Sequence, residues 1–158
     1  MAQVEALGHV GIYADDLMKQ RDFYTRVIGL KIADEDLDER GMTFLSADPE
    51  REHHEFVLMK GRSAPPDARL VQQLSFKVDS LAELKAFYHL FNDEGIRIQR
   101  VVSHGNAFGM YSLDPEGNTF EIYYKTGFPV PQPHSEPVDL SLPDEELLSI
   151  ARGALATD

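Results

Sequence analysis

The sequence predicts an α+β fold made of two βαβββ repeats that together form a cupped mixed sheet, followed by a short C-terminal tail and helix. Two observations carry this prediction. Residues 9–17 align without a gap with residues 73–81, and a Phe-Tyr pair at 23–24 corresponds to the pair at 87–88. In each copy a strand-like run precedes an amphipathic helix that stops at a glycine. Self-similarity of this kind indicates an internal duplication.

The chain has 158 residues, 42% of them hydrophobic, which is enough to bury the core of one domain. Its formal net charge of -12 repels phosphate backbones and anionic lipids, so nucleic acid and membrane surfaces are poor partners. The absence of cysteine excludes disulfides, thiolate nucleophiles and iron-sulfur clusters. Any bound metal must therefore be held by nitrogen and oxygen ligands.

The beginning of the chain, from Met1 to Gly8, lacks the basic region and apolar run of a signal peptide. No stretch approaches the eighteen or so apolar residues that a membrane span needs. We therefore expect a cytoplasmic protein.

Helix signals stand at matching places in the two copies. Ser80 and Glu83 form a capping-box pattern, and the helical spacing of apolar residues that follows ends at Gly95. In the first copy Asp15 or Asp16 can cap the helix, and a glycine again follows the apolar stripe. Each copy thus contains one amphipathic helix after its first strand.

Three strand-like runs follow each helix. They lie at about 30–35, 41–46, 54–60, 97–102, 107–113 and 119–124. The two repeats would then cover about residues 6–60 and 70–125 of a single domain spanning 1–125.

Residues 126–158 differ in composition from the repeats. Prolines at 129, 131, 133 and 137 exclude a helix or a central strand and predict a linker or an arm. A short helix is expected from Pro143 to about Leu155, with Ser141 as its cap and a role in packing or dimer contact.

Alternation along the strands predicts which side chains share a face. If the apolar residues of the first strand pack on the helices, His9 points to the opposite face with its alternate neighbours Gly11 and Tyr13. The repeat places Gln73 on the same inner face, and the last strand adds Glu121. These three polar side chains could form a metal site, a hydrogen-bond network, or simply a solvent contact.

Several short motifs, taken in order, resemble the vicinal oxygen chelate superfamily of glyoxalases, bleomycin-resistance proteins and extradiol dioxygenases over about residues 6–125. The motifs lie at residues 8–12, 23–24, 28–30, 74–76 and 114–121. The resemblance implies a cupped sheet made by pairing the two halves. It also implies a divalent metal held at the positions of His9, Gln73 and Glu121.

Within the superfamily the chain is most similar to one-domain extradiol dioxygenases. That resemblance implies an acid/base role for His54 and contact of His104 and Tyr111 with the substrate diol. His54 would point inward together with Phe56 and Leu58 of its strand, with Glu55 pointing away. These residues also have non-functional interpretations. The histidine pair at 53–54 could be a solvated strand edge, and Tyr111 could be an ordinary aromatic residue of the sheet.

One position departs from the dioxygenase pattern. Iron(II) extradiol enzymes use two histidines and one carboxylate, whereas this chain has Gln73 where the second histidine is expected. An amide oxygen is a weaker and harder ligand than imidazole, so affinity for Fe(II) should fall and selectivity should shift toward Mn(II), Mg(II) or Ca(II). The resemblance keeps Fe(II) as the first choice, with Mn(II) or another divalent ion as the alternative. The site could also have been lost.

The expected function is a metal-dependent, meta-cleavage type dioxygenase that acts on a catechol-type aromatic and dioxygen, as a homodimer. A non-catalytic module that binds aromatic compounds or antibiotics is the main alternative. A glyoxalase-like or epimerase-like lyase or isomerase is less favoured, because Glu121 is the only carboxylate predicted to point inward.

Overall fold

The computed structural model describes residues 2–65, 68 and 71–156. Residue 70, the predicted start of the second repeat, lies outside the described residues. The chain forms two compact units. Unit 1 comprises Met1–Ala68 together with Asp114–Glu116, and unit 2 comprises Arg69–Leu113 together with Gly117–Asp158.

Unit 1 contains the first βαβββ repeat. Its elements are β1 (Val10–Ala14), α1 (Leu17–Asp22) continued by a π-helical turn (Phe23–Val27), β2 (Lys31–Asp36), β3 (Met42–Ser46) and β4 (Phe56–Lys60). The strand order is β1-β4-β3-β2, in which β1 and β4 are parallel and the other pairs are antiparallel.

Unit 2 repeats this arrangement. Its elements are β5 (Leu74–Val78), α2 (Leu81–Asp93), β6 (Ile98–Ser103), β7 (Ala107–Leu113), β8 (Thr119–Lys125), β9 (Glu136–Pro137), α3 (Asp144–Gly153) and a 3-10 turn (Ala154–Ala156). The order β5-β8-β7-β6-β9 matches that of unit 1 with one added edge strand. Both sheets shift register at the same point of their second strand, after Ile32 and after Ile98. The predicted α+β fold and its duplication are confirmed.

The helix signals read from the sequence are present in the structure. The Asp16 side chain accepts the N–H three residues on, and Ser80 and Glu83 exchange both hydrogen bonds of a capping box. Gly29 and Gly95 follow the helices with φ of 86° and 67°. At such positive angles an L side chain is strained, so glycine is required to turn the chain into the next strand.

Each sheet packs one face on its helix. In unit 1 the Phe56 ring lies edge-on against Tyr24, and in unit 2 the Phe120 ring lies edge-on against Phe91. All four rings are buried. Since alternate side chains point to opposite faces, this packing fixes which residues of β1, β5 and β8 lie on the other face.

The proline-rich tail packs on unit 2. Val130, Leu140 and Leu147 are buried, and Pro137 pairs with Val102 at the edge of the sheet, where its missing N–H costs no ladder bond. The predicted helix is present as α3.

The predicted cap of this last helix is wrong. Pro143 occupies the N-cap position without a side-chain bond, and the Ser141 N–H instead donates to the Asp139 carboxylate. Proline suits this position because the first N–H groups of a helix have no partner within it. Among the described residues, no helix combines the length and the apolar character that crossing a membrane would take.

The buried hydrogen bond from the Tyr24 hydroxyl to Asp114 Oδ2, at 2.9 Å, predicts a measurable contribution to stability. Tyr24→Phe leaves a buried carboxylate oxygen without this donor, so the free energy of unfolding should fall by about 1.5–3 kcal/mol. Urea denaturation measures the change. Tyr13→Phe is the matched control, since Tyr13 is exposed and its loss should cost less than about 0.5 kcal/mol. Equal effects of the two substitutions would contradict the role of this bond.

Candidate functional site

The first strand of unit 1 has the predicted alternation. Ile12 and Ala14 are buried, whereas Tyr13 is 59% exposed and His9 and Gly11 are exposed as well. His9, the predicted metal ligand, therefore lies on the face away from the helix, just before the strand begins.

This face of unit 1 contains a cavity of about 310 Å³. Its walls are formed by His9, Gly11, Ile12, Tyr13, Met42, Phe44, His54, Val57 and Met59. The polar side-chain groups among these residues are two imidazoles and one phenol, and the other side chains are apolar. A cavity of this kind suits an aromatic ring, which presents a large apolar surface and few hydrogen-bonding groups.

His54 lies beside His9, with the two ring centroids 4.5 Å apart. Its ring also contacts Phe44 at 5.2 Å, and its Nδ1 atom is 2.9 Å from Nδ1 of His53. Burial, followed by the neighbouring His9 and His53, lowers the pKa of His54 from its ordinary value. The neutral imidazole, which can accept a proton, is thereby favoured at neutral pH.

The prediction that Phe56 and Leu58 point inward with His54 is wrong. Both residues are buried on the helix side, and Val57 and Met59 line the cavity instead. The strand begins only at Phe56, so His54 lies in an irregular segment where strand alternation does not apply. The Glu55 carboxylate, predicted to point away, accepts hydrogen bonds from the adjoining strand end at residues 46–47.

Unit 2 carries a row of polar side chains across its sheet. Ser75 of β5 pairs with Glu121 of β8, which pairs with Tyr111 of β7, which pairs with Arg100 of β6. The side chains of directly paired residues on adjacent strands project to the same face and are neighbours. Two predicted site residues, Glu121 and Tyr111, are thus brought together by register alone.

The Glu121 carboxylate is buried, with 6% exposure, and it is held by neutral groups. Its Oε2 accepts hydrogen bonds from Ser75 Oγ at 2.7 Å and from Gln73 Nε2 at 3.2 Å. Tyr111 lies beside this carboxylate as its register partner on β7. No lysine, arginine or histidine in the described part of unit 2 forms an ion pair with it. The site therefore holds a buried negative charge without a cation.

Gly109 makes room for this carboxylate. A Cβ at position 109 would collide with Oε1 of Glu121 and lie 3.1 Å from the Tyr111 ring. A residue with a side chain at this position of β7 would therefore displace the carboxylate.

Tyr111 is held in its neutral form. Burial, followed by the neighbouring Glu121 carboxylate, raises the pKa of Tyr111 to about 12. The Arg100 guanidinium, 4.1 Å from the ring centroid, acts in the opposite direction. At physiological pH the phenol is a hydrogen-bond donor and acceptor rather than a base.

His104 extends the row. Its Nε2 lies 3.3 Å from the Tyr111 hydroxyl, and its Nδ1 lies 2.7 Å from the backbone oxygen of His134. A carbonyl oxygen can only accept, so Nδ1 carries the hydrogen and Nε2 is directed at the phenol. His104 is thus within hydrogen-bonding distance of Tyr111, which stands directly opposite Glu121 on the adjacent strand.

The donor set of unit 2 fits part of a divalent metal site. A buried, unpaired carboxylate beside a side-chain amide is the environment in which a cation compensates charge. The Gln73 amide would have to turn its oxygen toward the ion, because its nitrogen now faces Ser75 and Glu121. Within either unit, the described residues contain no group of three histidine, aspartate or glutamate side chains placed to hold a metal.

Two contributors were missed from the sequence. Gly109 has the inward parity of Tyr111, and a glycine two residues before a candidate site residue was the available signal. Arg100 left no such signal, because the register shift after Ile98 that pairs it with Tyr111 is not visible in the sequence.

The chain matches one family model, described as the Glyoxalase/Bleomycin resistance protein/Dioxygenase superfamily, over residues 6–122. It is 25% identical over 126 residues to biphenyl-2,3-diol 1,2-dioxygenase 2 of Rhodococcus globerulus. It is 27% identical over 131 residues to biphenyl-2,3-diol 1,2-dioxygenase 3 of the same organism. Each alignment covers 77% of this chain, which spans 64% of the length of each enzyme.

Solved structures share the fold at lower identity. Lactoylglutathione lyase from Agrobacterium tumefaciens is 20% identical with a TM-score of 0.60, covering 78% of this chain and 96% of that one. The fosfomycin resistance protein FosX from Listeria monocytogenes is 17% identical with a TM-score of 0.62 and the same coverage. A glyoxylase/bleomycin resistance protein/dioxygenase domain from Frankia sp. EAN1pec is 16% identical, with a TM-score of 0.62, covering 78% and 99%.

The raised pKa of Tyr111 predicts its titration. Since the neutral phenol is favoured, ionisation should begin only well above pH 10 and reach its midpoint near pH 12. The tyrosinate absorbance of the wild type and of Tyr111→Phe should therefore coincide up to about pH 10.5, given an ordinary tyrosine pKa of about 10. A difference spectrum with a midpoint near that ordinary value would contradict the burial of Tyr111 beside the Glu121 carboxylate.

Proposed function

We propose, since this chain belongs to the Glyoxalase/Bleomycin resistance protein/Dioxygenase superfamily, that it is a metal-dependent ring-cleaving dioxygenase of the extradiol type. Its substrate would be a catechol-type aromatic, cleaved beside rather than between the two hydroxyls. One observation carries the proposal: His104, Tyr111 and Glu121 are neighbours on one face of unit 2, with His104 Nε2 3.3 Å from the Tyr111 hydroxyl and Tyr111 opposite Glu121. The similarity to two biphenyl-diol dioxygenases supports it.

The metal would be held by Gln73 and Glu121 of unit 2, with His9 of unit 1 as the third ligand predicted from the sequence. Fe(II) is the first choice. Mn(II) is the alternative, because the amide oxygen of Gln73 is a harder ligand than an imidazole. When bound, such an ion supplies Lewis-acid chemistry toward a diol and redox chemistry toward dioxygen. The finding that supports a cation at Glu121 is its buried charge, which has no ion pair within the described part of unit 2.

The residues of unit 2 would bind the substrate oxygen and move its proton. Tyr111, neutral at physiological pH, can donate a hydrogen bond to an anionic diol oxygen without losing its own proton. His104 Nε2 faces the phenol and can accept or return a proton through it, while Nδ1 stays bonded to a carbonyl. The roles predicted for these two residues are thus chemically compatible with their contacts.

The cavity of unit 1 would by itself offer a binding surface and a base. It presents Phe44 and two methionines to an aromatic ring, which packs well against polarisable sulfur. His54 projects into the same cavity with a lowered pKa, so a neutral imidazole is available there to accept a proton.

Oxygen consumption tests this function. Protein loaded with Fe(II) under anaerobic conditions should consume dioxygen when mixed with a panel of catechols, and Glu121→Gln should reduce uptake to the protein-free level because it removes the charge that holds the ion. Asp79→Asn makes the same chemical change at an exposed site of unit 2 and should leave uptake unchanged. No oxygen uptake with any catechol of the panel, or full uptake in Glu121→Gln, would contradict the proposal.

A non-catalytic module that binds aromatic compounds is the second candidate. One observation favours it: Ser75 and Gln73 already donate hydrogen bonds to the Glu121 carboxylate. The same cavity in unit 1 would then serve for binding alone.

Substitution of Gln73 separates the two candidates. Gln73→His restores the second imidazole of the iron facial triad, so a latent extradiol site should bind Fe(II) more tightly and consume oxygen faster. Gln99→His is the control, because Gln99 is an exposed glutamine of unit 2. Fe(II) titration measures the change, and identical affinities in the two variants would favour the binding module.

A further inference from the structure

The C-terminal tail holds the loop that carries His104. Residues 130–134, which we call the clamp segment, contact this loop at three points. His134 contributes its backbone oxygen to His104 Nδ1 at 2.7 Å, and Gln132 Nε2 donates to the His104 carbonyl at 2.8 Å. Val130 packs over Gly105. The segment thus forms hydrogen bonds with both the backbone and the ring of His104.

Gly105 shows how close the clamp segment lies. Its φ is +69°, and a Cβ there would stand 2.6 Å from a Val130 methyl carbon. Val130 is itself buried, so it has little room to retreat. The fit of this loop against the tail therefore depends on a glycine, both for its backbone angle and for its missing side chain.

Gln132 ties the clamp segment together. Its amide nitrogen donates to the His104 and Val130 carbonyls, at 2.8 and 3.3 Å, and its amide oxygen accepts the His134 N–H at 3.2 Å. One primary amide thus supplies donors and an acceptor at once. Removing the donors would loosen the segment that positions the His134 carbonyl.

The position of that carbonyl decides the form of the His104 ring. With Nδ1–H donated to an acceptor, the neutral imidazole has its lone pair on Nε2, which lies 3.3 Å from the Tyr111 hydroxyl. Without the carbonyl, the proton is free to reside on Nε2, and the ring is free to rotate. The tail thereby controls whether His104 can accept a proton from the phenol.

We propose that Gln132 is a positioning residue, which acts through the His134 carbonyl to keep His104 in its Nδ1–H form facing Tyr111. This inference rests on the proposed function for its role in turnover. The ring form itself does not depend on that function and can be measured without substrate.

Side-chain nitrogen NMR of the full chain reads the ring form directly. The His104 ring in the wild type should show Nδ1–H, and Gln132→Glu should lose that signature, because a carboxylate would face two carbonyl oxygens. Two controls should retain it: His134→Ala, which keeps the backbone oxygen, and Gln3→Glu, which makes the same charge change at an exposed site. A wild-type ring protonated on Nε2, or an unaltered ring in Gln132→Glu, would overturn the inference.

Turnover supplies the second readout. In metal-loaded protein, Gln132→Glu should lower kcat on the order of 10-fold to 100-fold with little change in KM, because the proton-transfer geometry is lost while substrate contacts remain. A changed ring form with an unchanged kcat would overturn the positioning role. Absence of turnover in the wild type would count against the proposed function instead, and the NMR result would still decide whether the clamp segment fixes His104.

Discussion

The burial of the Glu121 carboxylate is the constraint on which the site of unit 2 depends. A buried charge must be hydrogen-bonded and, in general, compensated. Ser75, its register partner on β5, and the Gln73 amide supply the hydrogen bonds, and the missing side chain of Gly109 supplies the space. These neutral donors solvate the charge but do not cancel it, which is the reason to expect a cation.

The same constraint propagates along the sheet. Because Tyr111 is buried beside the Glu121 carboxylate, it stays protonated, and its hydroxyl lies 3.3 Å from His104 Nε2. His104 in turn is oriented by the tail. A segment that the composition marks as a linker thus belongs to unit 2 and contacts a candidate catalytic residue.

The fold could be predicted from the sequence because its signals are local or repeated. The capping box at Ser80 and the glycines that end the helices mark the helices, and strand alternation places His9 and Glu121 on faces away from them. The errors have physical reasons. His54 precedes its strand, so parity misled the interpretation of Phe56 beside it, and a register shift hid the pairing of Arg100 with Tyr111. The tail contacts join residues about thirty positions apart, which no local pattern reveals.

The central claim is that Glu121 binds a divalent cation, and metal analysis tests it most directly. Protein purified without chelators should contain one equivalent of a divalent transition metal per chain, and Glu121→Ala should lose it while keeping the same far-ultraviolet circular dichroism. A folded wild-type protein that takes up no such metal even when it is supplied, or a Glu121→Ala variant that retains it in full, would contradict the account.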